Sequence, residues 1–173
     1  MKNKHPNREE CLELLKKHNT PEHVVRHCIE VTETAMMIAK VLNDKGYLLD
    51  MGLIQAAGLI HDIARVKDKH WEIGAKIASD LGYFQESDII KAHMFYHSDP
   101  HKDEIEEIDI ICLSDRMVKE DKYVGLEARI QFILEKFEGN PEVIQRIKAS
   151  IKDNEILIQR IEHEIGVTID SLM

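Results

Sequence analysis

An all-α bundle of about seven or eight helices is the fold this sequence predicts. Apolar residues recur at three- and four-residue steps along nearly the whole chain, and no segment keeps the period-2 alternation of a half-buried strand. Pro, Gly, Asn and Ser punctuate the boundaries between the periodic runs. At 173 residues and 20.0 kDa the chain has the length of one domain that buries a core without disulfides or a structural metal. Residues 1–173 therefore read as a single helical domain, with a motif-bearing region over 20–118 and C-terminal helices over 126–165.

The first helix runs from about Arg8 to His18 and stops at a His-Asn-Thr-Pro turn, where Thr20 reads as an N-cap and Pro21 as the first helical residue. The second continues to about Asn43. Its stripe of Val24, Cys28, Val31, Ala35, Ile38 and Leu42 puts His27 at the edge of the buried face. Asp50 caps a third helix, Met51 to about Ile60, whose small and apolar residues predict neighbours on several sides. His61 and Asp62 arrive at its end. A fourth helix presents His70, Ile73, Gly74, Ile77, Ala78 and Leu81 and is stopped by Gly82. After Ser87 a short fifth helix carries Ile89, Ile90, His93, Met94 and His97 on one broad face until Ser98-Asp99-Pro100 ends it, so His93 and His97 are expected to point the same way.

The sixth helix aligns Ile105, Ile108, Ile111 and Cys112 with Asp115. A carboxylate on an apolar face is costly unless a cation or hydrogen-bond donors compensate it, which makes Asp115 the least ordinary residue of the pattern. Two helices close the chain, about Leu126 to Phe137 and Pro141 to Ile165. The second carries Ile144, Ile147, Ile151, Ile158, Ile161 and Ile165, a stripe expected to pack on the bundle or on another subunit as a homodimer.

Composition narrows the function classes. A net charge of −9 and a pI near 5.6 argue against a surface that coats a nucleic-acid polymer. They leave room for a small anionic substrate gathered by local cations. Cys11, Cys28 and Cys112 are odd in number, far apart and set in apolar runs, which reads as buried free thiols in a reducing compartment. No apolar run has the length of a membrane span, and the N-terminal positive charge has no apolar stretch behind it, so no membrane association and a cytoplasmic location are expected. His5, His18, His23, His101 and His163 read as solvated, as does the charged run Lys119-Glu120-Asp121-Lys122.

Ten histidines and thirteen aspartates make roughly 0.75 His-Asp dipeptides expected by chance, so His61-Asp62 alone carries little. Its context carries more, because His27, His61, His70, His93 and Asp115 each lie on or beside the buried face of a different helix. Imidazole and carboxylate suit divalent transition metals, and helices of a bundle can aim several such ligands at one interior point. Adjacent His61 and Asp62 project about 100° apart on a helix, but at a helix end both can approach one ion.

On these residues the chain resembles the HD superfamily of metal-dependent phosphohydrolases, with His27, His61, Asp62 and Asp115 matching its His, His-Asp, Asp pattern. The segments TPEHVVRHCIEV, AAGLIHDIARV, HWEIGAKIASDLGY, DIIKAHM and CLSDRMV resemble the HDIG-type branch. The nearest likeness is to small HD proteins found with molybdenum-cofactor nucleotidyltransferase-like partners, and GLEARIQFILEKF with the final helix fits their ends. The resemblance implies one or two metals. In the two-metal form, which is favoured, Asp62 bridges, with His27, His61 and Asp115 on one ion and His70 and His93 on the other. In the single-metal form His70 and His93 make core hydrogen bonds or touch substrate. Iron or manganese is the expected metal, with nickel, cobalt and zinc as alternatives.

Arg65 stands where the family often has lysine. A planar guanidinium holds phosphate well but does not donate a proton, so Arg65 is expected to clamp phosphate near the metals, and Asp62 and Arg65 are the expected catalytic residues. His97, Arg116 and Lys119 are further candidates for the substrate rim. The doubled histidine and Gly-Tyr-Pro motif of cyclic-dinucleotide phosphodiesterases is absent, since MFYHSDP follows His93. The expected activity is hydrolysis of a nucleotide or other small phosphate ester through a metal-activated hydroxide. A di-iron oxygenase and a non-catalytic metal- or nucleotide-binding regulatory module are the alternatives. Oxygen consumption by reduced, iron-loaded protein would mark the first, and metal binding without turnover the second.

Overall fold

The structure, a computed structural model, describes residues 5–99 and 101–173. Among them are eight α-helices: α1 (Arg8–Lys17), α2 (Glu22–Asp44), α3 (Met51–Ile60), α4 (His70–Asp80), α5 (Phe84–Ala92), α6 (Glu107–Met117), α7 (Leu126–Lys136) and α8 (Pro141–Ile165). A two-strand antiparallel hairpin, β1 (Val118–Lys119) and β2 (Lys122–Tyr123), links α6 to α7, and a short 3-10 turn, Ile169–Leu172, follows α8. The all-α expectation holds. Among the described residues no helix is long and apolar enough to cross a membrane.

Most helix starts follow the local chemistry. Asn7 and Glu10 form a capping box on α1, and the Asp50 carboxylate accepts from Gly52 N and Leu53 N at the start of α3. The start of α2 differs from expectation. Pro21, not Thr20, is the cap residue, and Thr20 Oγ1 instead donates to the Ile63 carbonyl at 2.8 Å. The hydroxyl thus ties the entrance of α2 to the turn that follows α3.

Helix α3 is the axis of the bundle, packing against α1, α2, α5 and α6. Its Leu53, Ile54 and Ala57 join an apolar cluster with Ile38, Leu42, Ile111, Leu113, Leu157 and Ile161. Its Ala56, Leu59 and Ile60 join a second with Cys11, Leu15, Ile63, Ala78 and Ile90. A ten-residue helix buried on both faces fixes its own C-terminal end with respect to every neighbour. His61 and Asp62 leave from that end.

Gly58 is where α3 meets α2 most closely. A Cβ there would stand 2.7 Å from Thr32 Oγ1 and 3.3 Å from the Thr32 Cα, and that hydroxyl already donates to Cys28 O. Overpacking of this kind costs about 1–3 kcal/mol. Gly58→Ala should therefore lower the melting temperature by about 3–10 °C, read by circular dichroism. An unchanged melting temperature would show that α2 and α3 separate freely.

The isoleucine stripe of α8 packs on the bundle through Ile158, Ile161 and Ile165. Only Asn154, Leu157, Ile161 and Ile165 of α8 are buried, so Ile144, Ile147 and Ile151 are just partly covered, and α7 buries no residue fully. Cys11, Cys28 and Cys112 are free and buried, as read. Burial pushes the Cys11 and Cys112 thiols up to about 12, which leaves them protonated and unreactive at neutral pH.

Candidate metal centre

Five helices of the bundle deliver six side chains to one cleft. His27 stands in the second turn of α2, His61 and Asp62 leave α3, His70 opens α4, His93 closes α5, and Asp115 lies near the end of α6. They form two triads, His27 with His61 and Asp115, and Asp62 with His70 and His93. In each, one ligand atom per residue lies within 4.8 Å of the others.

The turn after α3 separates the neighbours His61 and Asp62. Its hydrogen bonds run three residues back, Ile63 N to Ile60 O, Arg65 N to Asp62 O and Lys67 N to Ala64 O. The tighter winding sends His61 to one triad and Asp62 to the other. Asp62 still faces both, because Oδ1 lies 3.3 Å from His70 Nε2 and 3.6 Å from His93 Nε2, while Oδ2 lies 3.7 Å from His61 Nε2.

Backbone carbonyls set the histidine tautomers. Nδ1–H of His27 donates to Glu120 O at 2.7 Å, that of His61 to Gly58 O at 2.7 Å, and that of His93 to Ile90 O at 2.6 Å. A carbonyl only accepts, so each Nδ1 carries a proton and each Nε2 is the ring atom that faces the cleft, that of His27 lying 3.0 Å from Asp115 Oδ1. This is the arrangement metal-binding imidazoles adopt.

A divalent cation fits these donors. His61 Nε2 and Asp62 Oδ1 are buried without a hydrogen-bond partner, and buried polar atoms need one. Burial alone would push the Asp62 carboxyl up, yet the charge of His61 and the rings of His70 and His93 hold it far below the usual carboxylate range. Burial opposes ionisation of Asp115 too, and His27, with Nε2 3.0 Å from Oδ1, and His61 outweigh it. Both acids are thus anionic at neutral pH, the form a metal requires.

The HD domain family model matches residues 24–140, which contain all six of these side chains. The chain belongs to the HD domain family. HD domains are in general metal-dependent phosphohydrolases and bind divalent metals. An uncharacterised protein of Methanocaldococcus jannaschii is 38% identical over 78 residues, 43% of this chain and 46% of that protein. A tRNA (cytidine(56)-2′-O)-methyltransferase of Thermoplasma volcanium is 35% identical over 75 residues, 42% of this chain and 21% of the enzyme. Ribonuclease Y of Enterococcus faecalis is 35% identical over 83 residues, 45% of this chain and 15% of the enzyme. The chain thus matches less than half the length of each of these relatives. No solved structure matches. These relatives lend no support to an association with molybdenum-cofactor nucleotidyltransferase-like partners.

Among the side chains expected at the rim of this HD site, Arg65 is in place. Its Nη1 lies 3.2 Å from His70 Nε2 and its Nε 3.7 Å from Asp62 Oδ2. The other three expectations need correction or refinement. His97 is exposed and belongs to neither triad, because α5 ends at Ala92 and the helical register that would align it with His93 is lost. Arg116 is turned away, with Nη1 on Asn154 Oδ1 at 3.0 Å and Nη2 on the Tyr96 carbonyl, so it ties α6 to α8. Lys119 rests its Nζ over the Phe132 ring, 3.9 Å from the centroid.

The hairpin that holds Lys119 is not the solvated loop its charges suggest. Glu120 O fixes His27, and Asp121 Oδ2 pairs with Arg26 Nε at 3.1 Å. His5 also departs from the solvated reading. Its ring is nearly buried between Glu86 Oε1 at 2.7 Å and Asp50 Oδ2 at 3.2 Å, pinning the chain start to α3 and α5.

Asp115 is about a third exposed at the cleft and is not a core residue. The enclosed carboxylate of α6 is Asp109, which accepts from Tyr96 Oη, Ser98 Oγ and Lys102 Nζ, a network the apolar-stripe reading passed over. Sequence reasoning also missed Arg129 on α7. Its Nε is buried without a partner, and its guanidinium sits over Phe132. Burial pulls it below its ordinary value, while the Asp115 carboxylate opposes this and Arg65 adds to it. Nothing in the GLEARIQFILEKF pattern distinguishes it from an ordinary surface arginine.

Proposed function

We propose that the chain is a two-metal phosphohydrolase that acts on small phosphate esters, nucleotides among them. The observation that carries this reading is the set of three back-bonded imidazoles turned, with Asp62 between them, into two adjoining triads. When bound there, a pair of divalent ions would supply Lewis acidity to the phosphoryl group and a water acidified to near-neutral pKa. His27, His61 and Asp115 would hold one ion, His70 and His93 the other, and Asp62 would present one oxygen to each.

The protein's remaining contribution is charge and position. The Arg65 N–H faces the same His70 Nε2 that would hold an ion, so His70 engaged in that way would leave the guanidinium unpaired. At 48% exposure Arg65 is free to turn to a phosphoryl oxygen. Arg129 adds a second cation, within electrostatic reach of the Asp115 carboxylate. A cationic rim of this kind gathers a small anion despite a chain charge of −9.

The test is elemental analysis of protein reloaded with Fe, Mn, Co, Ni or Zn, followed by phosphate release from a panel of phosphomonoesters and nucleotides. We expect about two ions per chain and metal-dependent release that EDTA abolishes. Metal-loaded protein that releases no phosphate from any ester would reduce the protein to a metal-binding module. Arg65→Ala should raise KM for the best ester about tenfold or more while leaving metal content unchanged, since a charge-assisted contact to phosphate is lost and no ligand is. Loss of metal from that variant would mean that Arg65 supports the ligands and not the substrate.

A further inference from the structure

The file of rings that lines the cleft continues past the ligands. His27, His61, His93 and His70 succeed one another with centroids 5.6, 5.3 and 5.7 Å apart. Trp71 then follows His70 at 5.3 Å and Phe95 follows Trp71 at 5.1 Å, both edge to face. Phe95 is 51% exposed and Met94 39%. Met94 Sδ lies 4.0 Å from Arg65 Nη1, so this apolar group begins where the cation beside His70 and Asp62 ends. Single exposed apolar residues are ordinary, whereas a contiguous aromatic group rimming a polar cleft marks a binding surface.

The two ends of the cleft differ in kind. On the Asp115 side, α6 packs against α7, where Arg129 shares the Phe132 ring with Lys119. Beyond His70 lie Trp71, Phe95 and Met94. A molecule with its phosphoryl group between the triads meets ring surface only at the His70 end, just past the Arg65 guanidinium.

We propose that Trp71, Met94 and Phe95 form the subsite for a planar ring carried by the substrate. The substrate class is then a phosphate ester with an aromatic or heterocyclic group, a nucleoside monophosphate in the simplest case, in preference to a plain sugar phosphate. For its phosphoryl end this rests on the phosphohydrolase reading; for its ring end it does not. Two aromatic side chains and a thioether accommodate one stacked ring. A polynucleotide needs a basic groove that tracks its backbone, which a chain of net charge −9 does not favour.

Trp71 is the sole tryptophan of the chain, so its fluorescence reports this surface alone. Adenosine 5′-monophosphate should quench it saturably, and ribose 5-phosphate, which keeps the sugar phosphate and lacks the ring, should not. With metal-loaded protein, kcat/KM for adenosine 5′-monophosphate should exceed that for ribose 5-phosphate by roughly 5- to 100-fold, the range one stacked base supplies. Phe95→Ala should bring the ratio toward unity mainly through KM, and Met94→Ala should move it the same way.

The outcomes separate the two readings. Quenching without hydrolysis of either ester sustains the ring subsite and overturns the phosphohydrolase. Equal hydrolysis of both esters without quenching sustains the phosphohydrolase and overturns the ring subsite. Tighter binding of a single-stranded oligonucleotide than of the mononucleotide would also overturn the assignment.

Discussion

Asp62→Ala should empty the metal centre and lower phosphate release by about three orders of magnitude or more, since two-metal Lewis acidity contributes several kcal/mol and each 1.36 kcal/mol is about tenfold in rate. The expectation follows from the position of the carboxylate. Its Oδ1 faces His70 and His93 while its Oδ2 faces His61, so no other described side chain belongs to both halves of the centre. Asp62→Asn keeps the shape and removes the charge, and it should lose metal nearly as completely. Circular dichroism keeps loss of metal apart from loss of fold. Two ions per chain in folded Asp62→Ala protein would refute the bridging role.

His93→Ala should take occupancy from about two ions to about one, because the triad of His27, His61 and Asp115 keeps all its members. His70→Ala should do the same. Asp115→Ala should strip the other ion and leave the Asp62, His70 and His93 triad. Each single-ion protein should lose most of its phosphate release, as both ions neutralise the same phosphoryl oxygens. If the unmutated protein, prepared without chelator and reloaded with each metal, never exceeds one ion, the two-ion arrangement is wrong.

Much of the fold was legible because helical periodicity is a local property. The bounds of α3, α7 and α8 follow from Asp50, Gly125 and the Asn140-Pro141 start, all readable in order along the chain. The six clustered side chains could be singled out for a different reason, since histidines and a carboxylate on apolar faces demand partners. What escaped reading depends on where a helix stops or on contacts between distant segments. His97 does not keep the register of His93 because α5 ends five residues before it. Arg116 looked like a rim cation until its bonds to Asn154 and Tyr96 placed it between helices. His5 and Glu86 are 81 residues apart, and no local pattern announces that one buries the other.

The Glu120 carbonyl that orients His27 belongs to the two-residue turn of the hairpin, where Glu120 takes a positive φ of 55°. Only the backbone of this residue serves the centre. Its identity is therefore free to drift, and Asn or Gly, which enter that conformation more readily, would be accepted there. Its spacing is not free. A tag, a cleavage site or an extra residue placed in this outwardly harmless surface turn would displace the carbonyl and loosen a ligand 93 positions earlier in the chain. Engineers of this scaffold should graft elsewhere, and among related chains the turn should vary in letters while keeping its length.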